Sequence, residues 1–174
     1  MDMWTGEAVQ LTDGPERIWG VAASLDGVHA AYVASDDGGV LLRVVDVFTR
    51  EMWEARTSRA IWPWSLAWSP DGRTLAYCVG GVEEREGQRV SVCMLDARLV
   101  GAEGGWEPRT VAAFVTDPRC AGLAWSPDSR AVAIAARMGG SGRYAVHALT
   151  PAGQTHQLTR QGNCVLPDWG PSPI

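Results

Sequence analysis

Along Ser65-Leu66-Ala67-Trp68-Ser69, large apolar residues alternate with small or polar ones, the two-residue period of a half-buried strand. Pro70 cannot donate to a ladder, so the strand ends there, and Asp71-Gly72 supplies a turn. The run Thr74–Val79 then folds back as a second strand, giving a tight hairpin. The pattern returns at Gly122-Leu123-Ala124-Trp125-Ser126-Pro127-Asp128-Ser129 and, weakened, at Val21-Ala22-Ala23-Ser24-Leu25-Asp26-Gly27. A fragment, Leu166-Pro167-Asp168-Trp169-Gly170-Pro171, closes the chain. Ala23, Trp68, Trp125 and Trp169 are equivalent positions 45, 57 and 44 residues apart, a spacing that marks a repeat architecture.

The pattern between these markers predicts four strands per unit. The first unit reads as strands at about 18–24, 28–34, 40–46 and 51–57, with Asp36-Asp37-Gly38-Gly39 as a hairpin turn. In the second unit they fall at 63–69, 74–80, 89–95 and 108–115, with a Gly-rich insertion before the last. The third gives 120–126, 131–137, 143–149 and 154–159. A strand at about 7–12 precedes the units and one at about 164–169 follows them. Gln10-Leu11-Thr12 and Gln157-Leu158-Thr159 match, so the first of these flanking strands reads as an outermost one.

The Trp-Ser-Pro-Asp-Gly turn followed by an apolar strand resembles the TolB-like family of β-propeller repeats. The resemblance runs from about Glu7 to Pro171, and the first copy departs from it at Ala23 and Leu25. Gln10-Leu11-Thr12-Asp13-Gly14-Pro15 before a repeat is also similar to the propeller domains of prolyl-oligopeptidase-family proteins. What this implies is an all-β, partial β-propeller of a single domain over 1–174. It has three four-stranded antiparallel blades at 18–57, 63–115 and 120–159, an orphan outer strand at the N-terminus and an orphan inner strand at the C-terminus. Trp68, Pro70, Asp71, Trp125, Pro127, Asp128 and Trp169 are then the structural residues of the repeat. Propellers typically need four to eight blades to close a ring, so three leave apolar faces open. The expectation is a fragment of a longer propeller, or an assembly closed by a second copy or a protein partner.

Composition narrows the function classes. Net charge is −5, which argues against a nucleic-acid footprint, and no run reaches the length of an apolar membrane span. The acidic N-terminus lacks a secretory pattern, so a cytoplasmic protein with reduced thiols is expected. Cys78, Cys93, Cys120 and Cys164 show no metal-binding spacing, and no calcium loop occurs; no metal or cofactor is expected. Gly139-Gly140-Ser141-Gly142 followed by Arg143 falls short of a nucleophile elbow, and His29, His147 and His156 have no evident acid and nucleophile beside them. The expectation is a protein that is not an enzyme.

Candidate binding residues collect where the inner strands of a propeller begin: Arg17, Trp19, Arg59, Trp62, Trp64 and Arg119. Aromatics and arginines are the residues enriched in binding hot spots. Alternation sets Trp62, Trp64, Leu66 and Trp68 on one side of a strand, and Trp19, Val21 and Ala23 on one side of theirs, so Trp19 and Trp64 read first as packing residues. Trp62 reaches furthest into the loop. The loop Glu83-Glu84-Arg85-Glu86 reads as a solvated hairpin tip, with a cation or basic partner as the alternative. Two functions follow from different classes. One is a non-catalytic scaffold for protein–protein interaction. The other, implied by the second resemblance, is a truncated or detached gating domain of a prolyl-oligopeptidase-like serine hydrolase, inactive alone. Small-ligand binding in a channel is a third.

Overall fold

The computed structural model describes residues 8, 10–57, 59–84, 87–97, 108–117, 122–137, 144–160 and 167–170. They form three four-stranded antiparallel sheets, each running through its strands in chain order. Sheet 1 holds β1 (Arg17–Ala23), β2 (His29–Asp36), β3 (Gly39–Asp46) and β4 (Met52–Thr57). Sheet 2 holds β5 (Ala67–Trp68), β6 (Thr74–Glu84), β7 (Gly87–Asp96) and β8 (Arg109–Thr116). Sheet 3 holds β9 (Leu123–Trp125), β10 (Val132–Ala136), β11 (Ala145–Leu149) and β12 (Thr155–Gln157).

The first hairpin of every sheet is closed by the same local chemistry. Ser69 Oγ donates to the Asp71 carboxylate at 2.6 Å and accepts from Thr74 N at 2.9 Å. Ser126 repeats this with Asp128 at 2.7 Å and Ala131 N at 3.0 Å, and Ser24 with Asp26 at 2.5 Å and His29 N at 2.9 Å. The hydroxyl bonds hold all three carboxyls below the ordinary Asp range. Gly27 and Gly72 take φ of 72° and 69° in these turns, and Ser129 takes 60° in the third. Left-handed backbone is cheap for Gly and costs a Ser about 1 kcal/mol. Ser129 recovers part of this across the sheet boundary, where its Oγ accepts from Asp71 N at 3.1 Å.

The sheets stack face on face through two apolar layers. Ala31, Val33, Leu42 and Val44 of sheet 1 meet Trp68, Leu75, Tyr77 and Leu95 of sheet 2. On its other side sheet 2 presents Ala76, Cys78, Val92, Met94 and Phe114 to Trp125, Val132, Ile134 and Leu149 of sheet 3.

One bond recurs at each step. The Trp68 indole N–H donates to Ala22 O at 3.1 Å, Trp125 to Ala67 O at 2.9 Å and Trp169 to Ala124 O at 2.7 Å. Each acceptor is an alanine paired across its hairpin with another alanine: Ala22 with Ala31, Ala67 with Ala76, Ala124 with Ala133. Two small side chains leave room for the next indole to reach the backbone. A buried indole N–H needs such a partner.

Two stretches differ from their sequence-based expectation. The strand expected over 63–69 starts only at Ala67, because Pro63–Ser65 forms a 3-10 turn. Pro63 has no N–H to give a ladder, and Ser65 Oγ replaces the missing backbone pairing, accepting from Cys78 N at 2.8 Å and donating to Trp62 O at 2.7 Å. In the flanking stretches, residues 10–12 and 167–170 carry no strand pairing. A strand needs a neighbour to satisfy its backbone, and no described strand pairs with either stretch.

His147, on the side of sheet 3 that meets sheet 2, is buried against Phe114 with ring centroids 5.9 Å apart. Among the described residues neither ring nitrogen has a partner in good hydrogen-bond geometry. Burial pushes its pKa below the usual 6.5. The unfolded chain therefore binds a proton that the folded chain resists. The stability this gives is complete above pH 6.5 and is lost as pH falls from there through the lower folded value. Urea midpoints measured between pH 7.5 and 5 should drop on the acid side in the native chain and stay level in His147→Leu; equal slopes would exclude His147 as the source.

Candidate functional site

The sequence placed six residues at one mouth, and the structure separates them by role. Trp62 lies inside, 5% exposed, in the layer between sheets 2 and 3. Trp64 stands out at 56% and stacks on Trp62, with centroids 6.5 Å apart and planes 27° apart. The expected alternation, with both on one side, is corrected by the 3-10 turn, which advances the chain by other than two residues per period. Trp62 and Trp68 end up in different apolar layers.

Trp19 is 59% exposed. The pairing of β1 with β2 slips between Ile18 and Gly20, which turns Trp19 out of regular alternation, and its indole donates to Ser35 Oγ at 2.9 Å. Gly20 beside it lies against the Pro63 turn that carries Trp64, so these two tryptophans flank one contact between sheets 1 and 2. Arg17 opens β1, paired with Ser35. Arg59 Nε donates to Gly80 O at 3.0 Å and lines a shallow cleft of about 390 Å³ with Ala60, Gly80, Gly81 and Gln88. Arg119 lies outside the described residues, as do Arg85 and Glu86 of the acidic loop.

A second feature was not singled out from the sequence. Segment 10–16 lies across the outer face of sheet 1, enclosing a cleft of about 670 Å³ with Tyr32, Arg43, Val45, Arg50 and Met52. Glu16 pairs with Arg43, both largely buried, and Arg43 Nε also binds Glu54 at 3.0 Å. Arg50 Nη1 donates to Gln10 O at 3.0 Å. Under this strap Tyr32, Ala34, Leu41 and Val45 form a small buried cluster. Among the described residues, no group of three or more His, Cys, Asp or Glu is placed to hold a metal ion. Nor is any helix among them long and apolar enough to cross a membrane.

Comparison with protein-family models gives no match, and comparison with curated proteins gives none. Solved structures do match. TolB from Acinetobacter baumannii superimposes with a TM-score of 0.60 over 88% of this chain and 35% of its own, at 14% identity. The β-propeller domain of the Trilobed protease from Pyrococcus furiosus gives 0.58 over 83% and 44%, at 12% identity. A prolyl endopeptidase gives 0.57 over 87% and 23%, at 16% identity. The chain has a β-propeller fold. Sheets 1, 2 and 3 are its blades, and the resemblance to TolB-like and prolyl-oligopeptidase-type propellers read from the turns holds at the level of the fold. The chain spans 23–44% of the length of these proteins.

Proposed function

We propose that this chain is a non-catalytic β-propeller scaffold for protein–protein interaction, completed by a second protein molecule through the part of blade 1's outer face that segment 10–16 leaves open. The observation that carries this is where apolar surface remains. Of the large apolar side chains exposed among the described residues, Ile18, Trp19, Val21, Leu25, Phe48 and Met52 all belong to blade 1. Large exposed apolar patches on a soluble fold mark interaction sites. Trp19 and Trp64, with Arg17 and Arg59 close by in the chain, supply the aromatic and guanidinium groups of a recognition surface at the adjoining mouth. Two of the histidines serve packing, which supports a non-catalytic reading: His29 stacks on Trp68 and His147 lies on Phe114.

The overlap with 23% of a prolyl endopeptidase supports a second reading, a gating propeller of a serine hydrolase, inactive alone. A hydrolase segment encoded in the adjoining reading frame would favour it.

Side-chain footprinting with hydroxyl radicals tests the scaffold reading. Ile18 and Leu25, exposed in the single chain, should be shielded in the wild-type chain, pure or in native extract, and labelled in Val21→Asp. Full labelling of both residues in both settings would end the reading.

A further inference from the structure

We propose that the β1 strip of blade 1's outer face, which segment 10–16 leaves open, binds the same strip of a second copy about a two-fold axis, so that the chain forms a closed dimer. This rests on the scaffold reading above and names its partner. Three observations lead to it.

The first is the tryptophan bond between blades. Head-to-tail stacking would set blade 1 of one copy on blade 3 of another, as blade 2 sits on blade 1. That step needs a tryptophan on the later blade and a vacant alanine carbonyl on the earlier one. Blade 1 has Ala23 in the donor position, and Ala124 O of blade 3 already accepts from the chain's own Trp169. Both halves of the contact are missing.

The second is the distribution of apolar surface. On the outer side of blade 3, Ala133, Ala135 and Ala148 are buried. On blade 1, Ile18, Val21 and Ala23 of β1 face outward, with Val21 71% exposed and Leu25, in the turn that follows, 81%. Among the described residues only two exposed large apolar side chains, Trp64 and Leu158, lie outside blade 1. Among the described residues, the surface most able to cover blade 1's apolar strip is another blade 1. Self-complementary contacts about a two-fold are the commonest closed assembly.

The third is charge. Beside the buried Arg43–Glu16 pair, the same face carries Arg56 in ion pairs with Asp36 and Glu54, all three partly exposed. A face of mixed sign opposes no block of like charge when it meets itself. The register slip between Ile18 and Gly20 interrupts β1 as an edge, which favours contact through the face over strand-to-strand pairing.

The test uses the full chain. Light scattering over a concentration series should rise from 18.7 kDa to twice that mass and stop. Val21→Asp sets two carboxylates into the interface and should raise the dissociation constant by about tenfold or more. Its circular dichroism and melting at low concentration should match the wild type, because Val21 is exposed in the monomer. In mixed isotope-labelled chains carrying Val21→Cys or Leu25→Cys, oxidation should yield disulfides linking blade 1 to blade 1. A constant monomer mass, growth beyond two copies, or crosslinks from position 21 to blade 3 would each overturn the proposal. A pure monomer whose Ile18 and Leu25 side chains are shielded only in extract would end this inference and leave the scaffold reading standing with a different partner.

Discussion

Replacing Trp125 by Ala should remove about 3–5 kcal/mol of stability, the range for truncating a buried aromatic. Trp125 fills the layer between blades 2 and 3 and ties the two through its bond to Ala67 O at 2.9 Å. Loss of the ring leaves a void facing the Ala67–Ala76 pair, which has no side chain long enough to collapse into it. Because a propeller is a stack of units that touch only their neighbours, the damage should fall on one boundary. Urea unfolding should therefore change from one transition to two, with blade 3 released first. Trp125→Phe separates the contributions, since it keeps most of the ring and loses only the N–H bond, worth about 1 kcal/mol. If the Ala variant lost no more than the Phe variant, the indole bond and not the packing would hold the blades together. If neither lost stability, the recurring tryptophan would have no structural role.

What the sequence made legible was what is decided within a few residues. Ser69, Asp71 and Gly72 close their hairpin with bonds spanning five positions at most, so their recurrence announced three hairpins and, with the strand pattern, three sheets. Even the weakened first copy kept Ser24 and Asp26, the two residues the turn needs, while dropping the Trp and Pro. The tryptophan serves the boundary with the preceding sheet, so its loss at Ala23 leaves the hairpin chemistry intact.

The site was less legible because it depends on contacts that no local pattern encodes. The exchange of Trp62 and Trp64 between inside and outside turns on the Ser65 hydroxyl reaching Cys78 N, thirteen positions away. The outward turn of Trp19 follows from a register slip that the alternation could not reveal. The ion pair under the strap joins Glu16 to Arg43, 27 positions apart. Arg43 occupies the place on the third strand that Cys93 and His147 hold in the other blades. A charged residue at an otherwise neutral repeat position was the available signal that this face differs from the other two. The alanines that accept the indole bonds gave a signal too, since Ala22, Ala67 and Ala124 each stand one residue before an equivalent position.

Gly20→Ala gives the sharpest sign test of how blades 1 and 2 meet. In an ordinary strand a Gly-to-Ala change that the backbone accepts stabilises by about 0.4–1 kcal/mol, because the unfolded chain loses freedom. At Gly20 a new Cβ would lie 2.5 Å from Pro63 Cβ and 2.6 Å from Pro63 O. The second of these is backbone and cannot rotate away. The 3-10 turn is itself pinned by Ser65, so relief has to come from separating β1 from the turn. Overpacking of this kind costs about 1–3 kcal/mol, which outweighs the gain. The variant should thus be less stable than wild type by denaturant unfolding, and amide exchange in the Pro63–Ser65 turn should rise as that turn moves. The effect should stay at this boundary, leaving exchange rates in blade 3 unchanged. A stabilised Gly20→Ala protein would mean that blade 1 does not press on the Pro63 turn, and the shared contact beneath Trp19 and Trp64 would be lost with it.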